Sequence, residues 1–559
     1  MRKTVIVSNL ELPRRVSLWL ASLVVCGGCY LGLDPSAGGP GDGDGDGDGG
    51  SVVVSCDPDA PDAGFREGRR MSREEYVYVI ADLFDLAGSK QYPGGFGKSA
   101  TGYSTEAAVN VVGEVGVEDL MLAAEDVAEA LVPKLPELLP CSTTAADIAC
   151  VDEYLQTFGR RGFRRTLTAG ERDLLVATYQ AEREDEATFA EAVAVMTAQL
   201  LQMPAFVYIM EAPADDGEAR QLSGLELASR LSFYLWNSIP DEALLARAES
   251  GDLKNAEAVY EETERMFDDP KARRGFSRFF REWIQVNEIQ VSSKEPTLFP
   301  YLDQTLADSI NDSFERYVTG AVRSGASLSD LLTEPTTVVN ADLAEFYGVA
   351  TVDDWTSIDL PADRYVGLIT HPAVMAGLAH ATETSYVLRG RFIRHRLLCE
   401  PPLPPPGNAM TAFNDLDKPE DPTARELSLL VRERGDCVAC HVLLDPAGLA
   451  LEHFDAMGQY RDAYATGKPI DTSDLLTLEE EEIEFSGPID LMEKIAALPQ
   501  TQSCFARQVF RYEAARMETE DDDCAIAQLS EALEESEGRL DEAFLAVTRT
   551  DAFMFRRGN

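Results

Sequence analysis

The residues with the clearest chemical potential are Cys437, Cys440 and His441, which form a C-x-x-C-H motif. Two cysteines at this spacing lie about one helical turn apart, so their thiols can add to two vinyl groups on one edge of a porphyrin. The histidine that follows can place its imidazole beneath the ring and bind iron. The motif therefore predicts one covalently attached c-type haem as the cofactor.

Three other interpretations of this cysteine pair stay open: a redox pair, a zinc site and a tight disulfide. A thioredoxin-like redox pair belongs on a βαβ framework, which the flanking sequence does not show. A structural zinc site needs four ligands, and only Cys399 or His453 could complete one here. We favour haem because the chain has the features of an exported protein, in which such thiols meet the haem-attachment machinery.

The residue on the other side of the iron is less well defined by sequence. Met457, Met492, Met517 and His453 all follow the motif. Met457 is our first choice as the second iron ligand, because a methionine there raises the reduction potential and suits electron transfer. An iron left open would instead permit peroxide or ligand chemistry.

Residues 1–29 have the features of a signal peptide with a lipobox. Basic residues precede an apolar run, Val16–Val25, that is too short to span a bilayer. Two glycines then precede Cys29, as at the site where bacterial lipoproteins are cut and acylated, although Cys26 stands where an aliphatic residue is usual. We expect an exported lipoprotein, periplasmic or on the outer membrane or cell surface, that contacts the membrane only through a lipid on Cys29. Plain secretion is the alternative.

The composition indicates an acidic protein with a flexible linker after the signal. Residues 30–65 are rich in Gly and Asp, which bury little apolar area and repel one another by charge. Over the whole chain, 97 acidic against 49 basic side chains give a net charge of −48, which argues against nucleic acid as a partner. We expect a redox partner protein, whose identity the sequence does not give.

Apolar periodicity predicts a mainly α, multi-domain fold. Capping boxes at Ser72–Glu75 and Thr168–Glu171 predict two helix starts. Further helical patterns extend over about 117–139, 188–210, 223–248, 256–289, 303–324 and 339–348. The predicted domains are 66–140, 141–210 and 211–350, all helical, then 351–475 with a proline-rich connector and the haem motif, and a helical domain at 476–559.

Nine arginines stand out in so acidic a chain, and two tryptophans lie in helical patterns. We expect the arginines to pair with acidic helix faces rather than to line an anion pocket. We expect Trp236 and Trp283 to be core anchors. The arginines are Arg160, Arg161, Arg164, Arg165, Arg230, Arg273, Arg274, Arg278 and Arg281.

Export permits disulfides, and the chain has ten cysteines. We predict two local bridges, Cys141–Cys150 and Cys504–Cys524, because each closes a short loop. Each bridge would contribute about 2–4 kcal/mol by restricting the unfolded chain. Cys56 and Cys399 are left to pair with each other or to stay free.

Short blocks along the chain carry a family resemblance. They are Met71–Tyr76, Phe158–Arg165, Leu227–Trp236, Thr370–Pro372, Arg389–Arg391, Cys437–His441, Asp445–Gly448, Leu451–Asp455, Cys504–Arg507 and Asp551–Phe553. This order resembles the planctomycete-type cytochrome-like proteins, built from domains of unknown function 1587, 1595, 1592, 1588 and 1585 in that order. The resemblance implies a helical protein with c-type haem at Cys437, Cys440 and His441. We accordingly expect a cytochrome c-like helical domain in the C-terminal part.

Three functions follow from these observations. The first, which we favour, is an electron-transfer module in which a helical body positions the haem against a redox partner. The second is a haem enzyme, oxidase or peroxidase-like. The third is a haem-free extracellular lipoprotein scaffold stapled by disulfides. No Ser-His-Asp arrangement, Walker loop or dinucleotide fingerprint is evident, so we assign no catalytic residues.

Overall fold

Helices account for most of the secondary structure. A computed structural model describes residues 56, 61 and 63–558, except 90, 96–98, 145–146, 216, 403–404, 408, 436 and 479–480. The described residues are 58% helical with few, short strands, which confirms the predicted mainly α class. The cytochrome c-like character of the C-terminal part stays a prediction.

The first eight helices follow one another closely. They are α1 (Arg73–Phe84), α2 (Glu114–Leu138), α3 (Cys141–Thr144), α4 (Ile148–Tyr154), α5 (Arg160–Phe163), α6 (Ala169–Glu184), α7 (Phe189–Gln202) and α8 (Pro204–Val207). Both predicted capping boxes are confirmed: Ser72 with Glu75 begins α1, and Thr168 with Glu171 begins α6. Helix α1 ends at Asp85, which adopts a left-handed conformation.

The remaining helices lie between Gly224 and Met554. They are α9 (Gly224–Trp236), α10 (Glu242–Ser250), α11 (Ala256–Asp268), α12 (Ala272–Ile284), α13 (Gln304–Ser324), α14 (Leu328–Thr333), α15 (Ala341–Tyr347), α16 (Pro372–Gly377), α17 (Tyr386–Phe392), α18 (Ala409–Asn414), α19 (Ala424–Arg432), α20 (Val438–Leu449), α21 (Pro488–Ala497), α22 (Pro499–Ala514), α23 (Asp523–Glu535), α24 (Leu540–Ala546) and α25 (Asp551–Met554). The pattern predicted over 223–248 divides into α9 and α10, because Asn237 adopts a left-handed conformation and ends α9.

Short helices and strands complete the fold. Among the described residues, five 3₁₀ helices lie at Ala107–Val109, Val291–Ser293, Leu368–Thr370, Glu520–Asp522 and Val547–Arg549, and two π-helical segments at Leu155–Gly159 and Ile393–Leu397. The strands are β1 (Arg69–Arg70), β2 (Tyr208–Ile209), β3 (Ala219–Gln221), β4 (Thr336–Val339), β5 (Thr356–Asp359), β6 (Asp474–Thr477), β7 (Glu482–Phe485) and β8 (Phe555–Arg557). They pair antiparallel as β1 with β2, β3 with β8, β4 with β5 and β6 with β7.

Two hydrophobic cores organise the described residues. The first joins apolar side chains between Met71 and Val207, with Phe233 and Ile239 added from the next segment. The second extends from Leu222 to Met554 and adds Tyr103. The predicted domains 66–140 and 141–210 therefore share one core, and the three C-terminal domains share the other. Both cores belong to one compact unit.

Ion pairs between α1 and α12 connect the two cores. Arg274 binds Asp82 at 2.9 Å and Arg281 binds Glu74 at 2.7 Å. Burial alone would raise the pKa of Glu75, but Arg69 and Arg278 outweigh that effect and lower it to about 2. Arg274, Arg278 and Arg281 of α12 thus form ion pairs, as predicted. The prediction is wrong for Arg161 and Arg164, which donate to backbone carbonyls instead. Trp236 and Trp283 are buried and donate to backbone carbonyls, which confirms their role as core anchors.

One of the two predicted disulfides is confirmed and the other is wrong. Cys141 pairs with Cys150, but Cys504 pairs with Cys399, and Cys524 pairs with Cys56. Ten residues of α22 separate Cys504 from the end of that helix, a rise of about 15 Å, whereas bridged Cα atoms lie within about 7 Å. Cys524 lies in the first turn of the next helix, α23, and reaches Cys56 at the other end of the described chain. The observed bridges join residues far apart in sequence: Cys399 and Cys504 are separated by 105 residues, and Cys56 and Cys524 by 468.

Candidate haem-attachment site

Helix α20 presents the C-x-x-C-H motif at its N-terminal end. Cys437 occupies the N-cap position, and Cys440 and His441 lie in the first turn. Among the described cysteines, Cys437 and Cys440 are the free ones, and both are half-buried. Within the described residues, no group of three or more His, Cys, Asp or Glu side chains is arranged to hold a metal ion. Within the described part of the chain, both motif cysteines are thus thiols, which fits haem attachment and a redox pair alike.

Asp445 fixes the ring of His441 from one helical turn away. Nδ1 of His441 lies 2.9 Å from Oδ1 of Asp445. The carboxylate is fully buried, and its Oδ2 accepts a hydrogen bond of 2.7 Å from Ser428 of α19. A carboxylate acceptor places the proton on Nδ1 and leaves Nε2 as the metal-binding nitrogen, an arrangement common for metal-ligating histidines. Sequence reasoning missed this role of Asp445, although the i, i+4 spacing on a helix could have indicated it.

The C-terminal half of α20 is held by backbone contact with α17. A Cβ on Gly390 would lie 1.8 Å from the carbonyl oxygen of Leu444, and one on Gly448 would lie 1.7 Å from that of Tyr386. Only glycine permits an approach this close. The two helices therefore cross in direct backbone contact, which fixes the position of α20.

Arg389 of α17 secures the chain that leaves α20. It is fully buried and donates to the carbonyl oxygens of Leu451, Phe454 and Asp455 at 2.7–2.9 Å. Buried Glu452 lies 3.6 Å from the same guanidinium. These bonds satisfy carbonyls that the end of a helix leaves without partners. The end of α20 remote from the cysteines is thus rigidly held.

The end of α20 that bears the cysteines is different, because it exposes apolar side chains. Val438, Val442 and Leu443 are 36–38% exposed, and Leu429 of neighbouring α19 is 50% exposed. A cleft of about 440 Å³ opens beside Cys440 and is lined by Leu443, Leu478, Pro401 and Pro402 among others. An exposed apolar surface next to a cleft indicates a ligand or partner contact. Of the motif's two cysteines and histidine, Cys440 is the one that lines this cleft, and Arg394, Glu400 and Thr477 add charged and polar groups to its walls.

The structure does not bring Met457 to this cleft. Met457 follows α20 at the far end from His441, is fully buried, and belongs to the second core. Its backbone N–H donates to Oδ1 of Asp455 in a tight turn. Met492 is also buried in that core, while Met517 is partly exposed. Met457 as the second iron ligand stays a prediction.

Two other histidines have structural partners. His371 caps α16 by accepting a hydrogen bond from the N–H of Ala373, and its Nε2 lies 3.2 Å from Ser313 Oγ. Burial lowers the pKa of His371 to about 3, so the ring is neutral at ordinary pH. His453 donates from Nδ1 to the carbonyl oxygen of Arg461 and stacks on Tyr460. Both histidines are accounted for by packing.

Several sequence predictions concern residues before Cys56. The signal peptide, the lipidated Cys29 and nearly all of the linker at 30–65 lie outside the described residues. Among the helices of the described part, none combines the length and apolar character needed to cross a membrane.

Four segments of the chain match known protein families, each described as a protein of unknown function. Residues 150–211 match DUF1595, 222–349 match DUF1592, 365–464 match DUF1588 and 481–553 match DUF1585. These are four of the five predicted domains, in the predicted order, whereas the expected DUF1587 segment is not matched. The candidate site lies in the DUF1588 segment. No curated protein and no solved structure matches the chain.

Proposed function

We propose that this chain is an exported c-type haem protein that transfers electrons in the cell envelope. The observation that carries the proposal is the pair of free thiols on α20, followed by a histidine whose Nδ1 is held by Asp445. When bound, haem supplies an iron centre that accepts and releases single electrons.

Each part of the site has a separate task in this proposal. Cys437 and Cys440 hold the cofactor covalently, and His441 offers Nε2 to the iron. Asp445 keeps the imidazole oriented and makes it a stronger donor. Leu443 and the other exposed apolar residues exclude water from the cofactor, which strengthens electrostatic control of its potential. The glycine crossing of α17 and α20 keeps His441 in place.

Disulfides and charge support the proposed location. The three bridges between described cysteines favour an oxidising compartment outside the cytoplasm. A net charge of −48 suits a cationic or neutral protein partner and disfavours nucleic acid. We propose that the chain is attached to the membrane by a lipid on Cys29, with a redox protein as its partner.

One observation favours a second candidate, a haem enzyme. The cleft beside Cys440 is open, and Met457 lies buried in the second core instead of on that cleft. If Met457 does not bind the iron, the cleft would give a small substrate access to the haem that Cys437, Cys440 and His441 would hold. Cyanide that binds within seconds and shifts the absorption spectrum would favour this candidate, while a spectrum unchanged by cyanide would favour electron transfer.

The deciding experiment is haem retention after denaturation. The exported form is produced in a host with c-type haem maturation, denatured, and examined for haem that stays with the polypeptide and gives a reduced c-type spectrum. Cys437→Ala should lose most of that haem. Cys150→Ala removes a cysteine in a remote bridge and should retain it. A matured wild-type sample without haem would contradict the proposal and leave a disulfide-stapled scaffold as the better description.

A further inference from the structure

A disulfide and one of the motif cysteines line the same cleft. Cys399 and Cys440 both line it. Cys399 is bridged to Cys504, while Cys440 and Cys437 are free thiols. A thiolate that can reach a disulfide exchanges with it. The cleft therefore brings together one sulfur of a disulfide and the free thiol of Cys440, whose neighbour in the motif is the free thiol of Cys437.

The two sulfurs of this bridge have unequal access. Cys399 is partly exposed at the cleft, whereas Cys504 is 1% exposed. An attacking thiolate from the cleft must therefore approach Cys399 and release Cys504. Nε2 of buried Gln508 lies 3.6 Å from Sγ of Cys399 and 4.0 Å from Sγ of Cys504. An N–H donor at this position stabilises a departing thiolate.

The backbone of Cys399 adds a reason for the bridge to be labile. Its φ is 54°, in the left-handed region that side chains other than glycine rarely adopt. A residue in this region is strained, and it keeps that conformation only because its surroundings impose it. Opening the bridge releases one of the constraints that hold Cys399 there.

We propose that Cys399–Cys504 is a second redox centre that exchanges with the Cys437–Cys440 dithiol in the chain before haem is attached. The Cys440 thiolate attacks Sγ of Cys399, an S–S bond forms between them, and Cys504 leaves as a thiolate. Cys437 then attacks Cys440, which closes Cys437–Cys440 and releases Cys399. The motif loses two electrons, the old bridge gains two, and the protons of the motif thiols pass through solvent to Cys399 and Cys504.

This exchange controls whether the motif is available. A Cys437–Cys440 bridge blocks both thiols, and the intact Cys399–Cys504 bridge leaves them free. When Cys440 forms a covalent bond to another group, its thiol can no longer attack, and the Cys399–Cys504 bridge stays closed. The inference needs no haem, so it stands or fails separately from the proposed function.

The test maps disulfides in haem-free chain from a host without haem maturation. The protein is equilibrated in a glutathione buffer, quenched with acid, alkylated and digested with trypsin. Trypsin places Cys399, Cys504 and the motif pair in three different peptides, so each linkage has its own mass. In Cys437→Ser the resolving thiol is absent, and we expect a Cys399–Cys440 linkage with alkylated Cys504 in at least about a tenth of the chains.

The controls separate exchange from misfolding. Cys440→Ser removes the attacking thiol and should keep Cys399–Cys504 fully bridged, and the remote Cys141–Cys150 bridge should stay intact in every sample. If Cys437→Ser does not fold, the wild type decides by the presence or absence of Cys437–Cys440 together with alkylated Cys399. Cys399–Cys504 fully intact in the wild type and in every folded variant would overturn the proposal.

Discussion

The two ends of α20 differ in how tightly neighbouring elements pack against them. At the C-terminal end, Gly390 and Gly448 let backbones touch, and buried Arg389 binds three carbonyls. At the N-terminal end, Cys437 and Cys440 are free thiols among exposed apolar side chains. The fold holds one end of the helix tightly and leaves the other open. This difference is what a site needs if it must accept a large group without losing its geometry.

The largest expected effect comes from breaking the tight end. Gly448→Ala places a Cβ against the Tyr386 carbonyl, a backbone atom that cannot rotate away. We expect the free energy of unfolding to fall by about 3 kcal/mol or more, measured by urea denaturation. Gly320→Ala is the matched control, since Gly320 also lies inside a helix and a Cβ there meets nothing within 4 Å. Equal stability of the two variants would contradict the tight crossing.

A smaller effect is expected where the two ends meet, at Asp445. Asp445→Asn keeps the shape but replaces a charged acceptor for His441 and Ser428 by a neutral one. We expect a loss of about 2 kcal/mol in the stability of the haem-free chain. In the haem-attached chain the reduction potential should rise, because a less basic imidazole stabilises the ferric state less. An unchanged potential in a folded variant would argue against the orienting role of Asp445.

The next prediction concerns pH dependence, and it rests on His371, which is buried whereas His441 is partly exposed. The folded pKa of His371, about 3, is below the unfolded value of about 6.5. The neutral ring therefore stabilises the fold above pH 6.5, and that contribution declines as the pH falls toward 3. Between pH 7.5 and 5.5 we expect a loss of about 1.4 kcal/mol from His371.

The measurement is the stability difference between wild type and His371→Asn at the two pH values. Asparagine can still cap α16, so the variant should fold. Contributions from His395, whose pKa burial and three nearby arginines lower to about 4, are common to both proteins and cancel. A difference that does not change with pH would show that His371 is not buried as described.

Local signals explain what the sequence could predict of the fold. The hydrogen bonds of the capping boxes at Ser72 and Thr168 form within four residues, so a capping box can be recognised in the sequence without knowing the tertiary structure. The division of the 223–248 pattern into two helices could not be predicted in this way. It depends on Asn237, which is left-handed and donates a hydrogen bond to the backbone carbonyl of Arg274 on another helix. The disulfides show the same limit, since Cys56 and Cys524 are adjacent only after the whole chain has folded.

The same limit separates the parts of the candidate site that the sequence predicted from the parts that it did not. The C-x-x-C-H spacing indicates thiols one turn apart on a helix, and the structure places them there. The partners that shape the site come from elsewhere: Ser428 from α19, and Cys399 from the chain after α17. Periodicity cannot show which distant element faces a given turn, so the cleft and its neighbouring disulfide were not predicted.

The smallest effect is expected at the open end, where haem would cover apolar surface. Leu443 is 37% exposed, and covering that share of a leucine contributes about 0.7 kcal/mol. Leu443→Ser should therefore cost about 0.7 kcal/mol more in the haem-attached chain than in the haem-free chain, measured by paired urea denaturations. Leu174→Ser, at a 51% exposed position in α6 of the first core, should cost the same in both. If Leu443→Ser also costs the same in both, the exposed apolar surface of α20 does not contact the cofactor, and a partner protein becomes its better explanation.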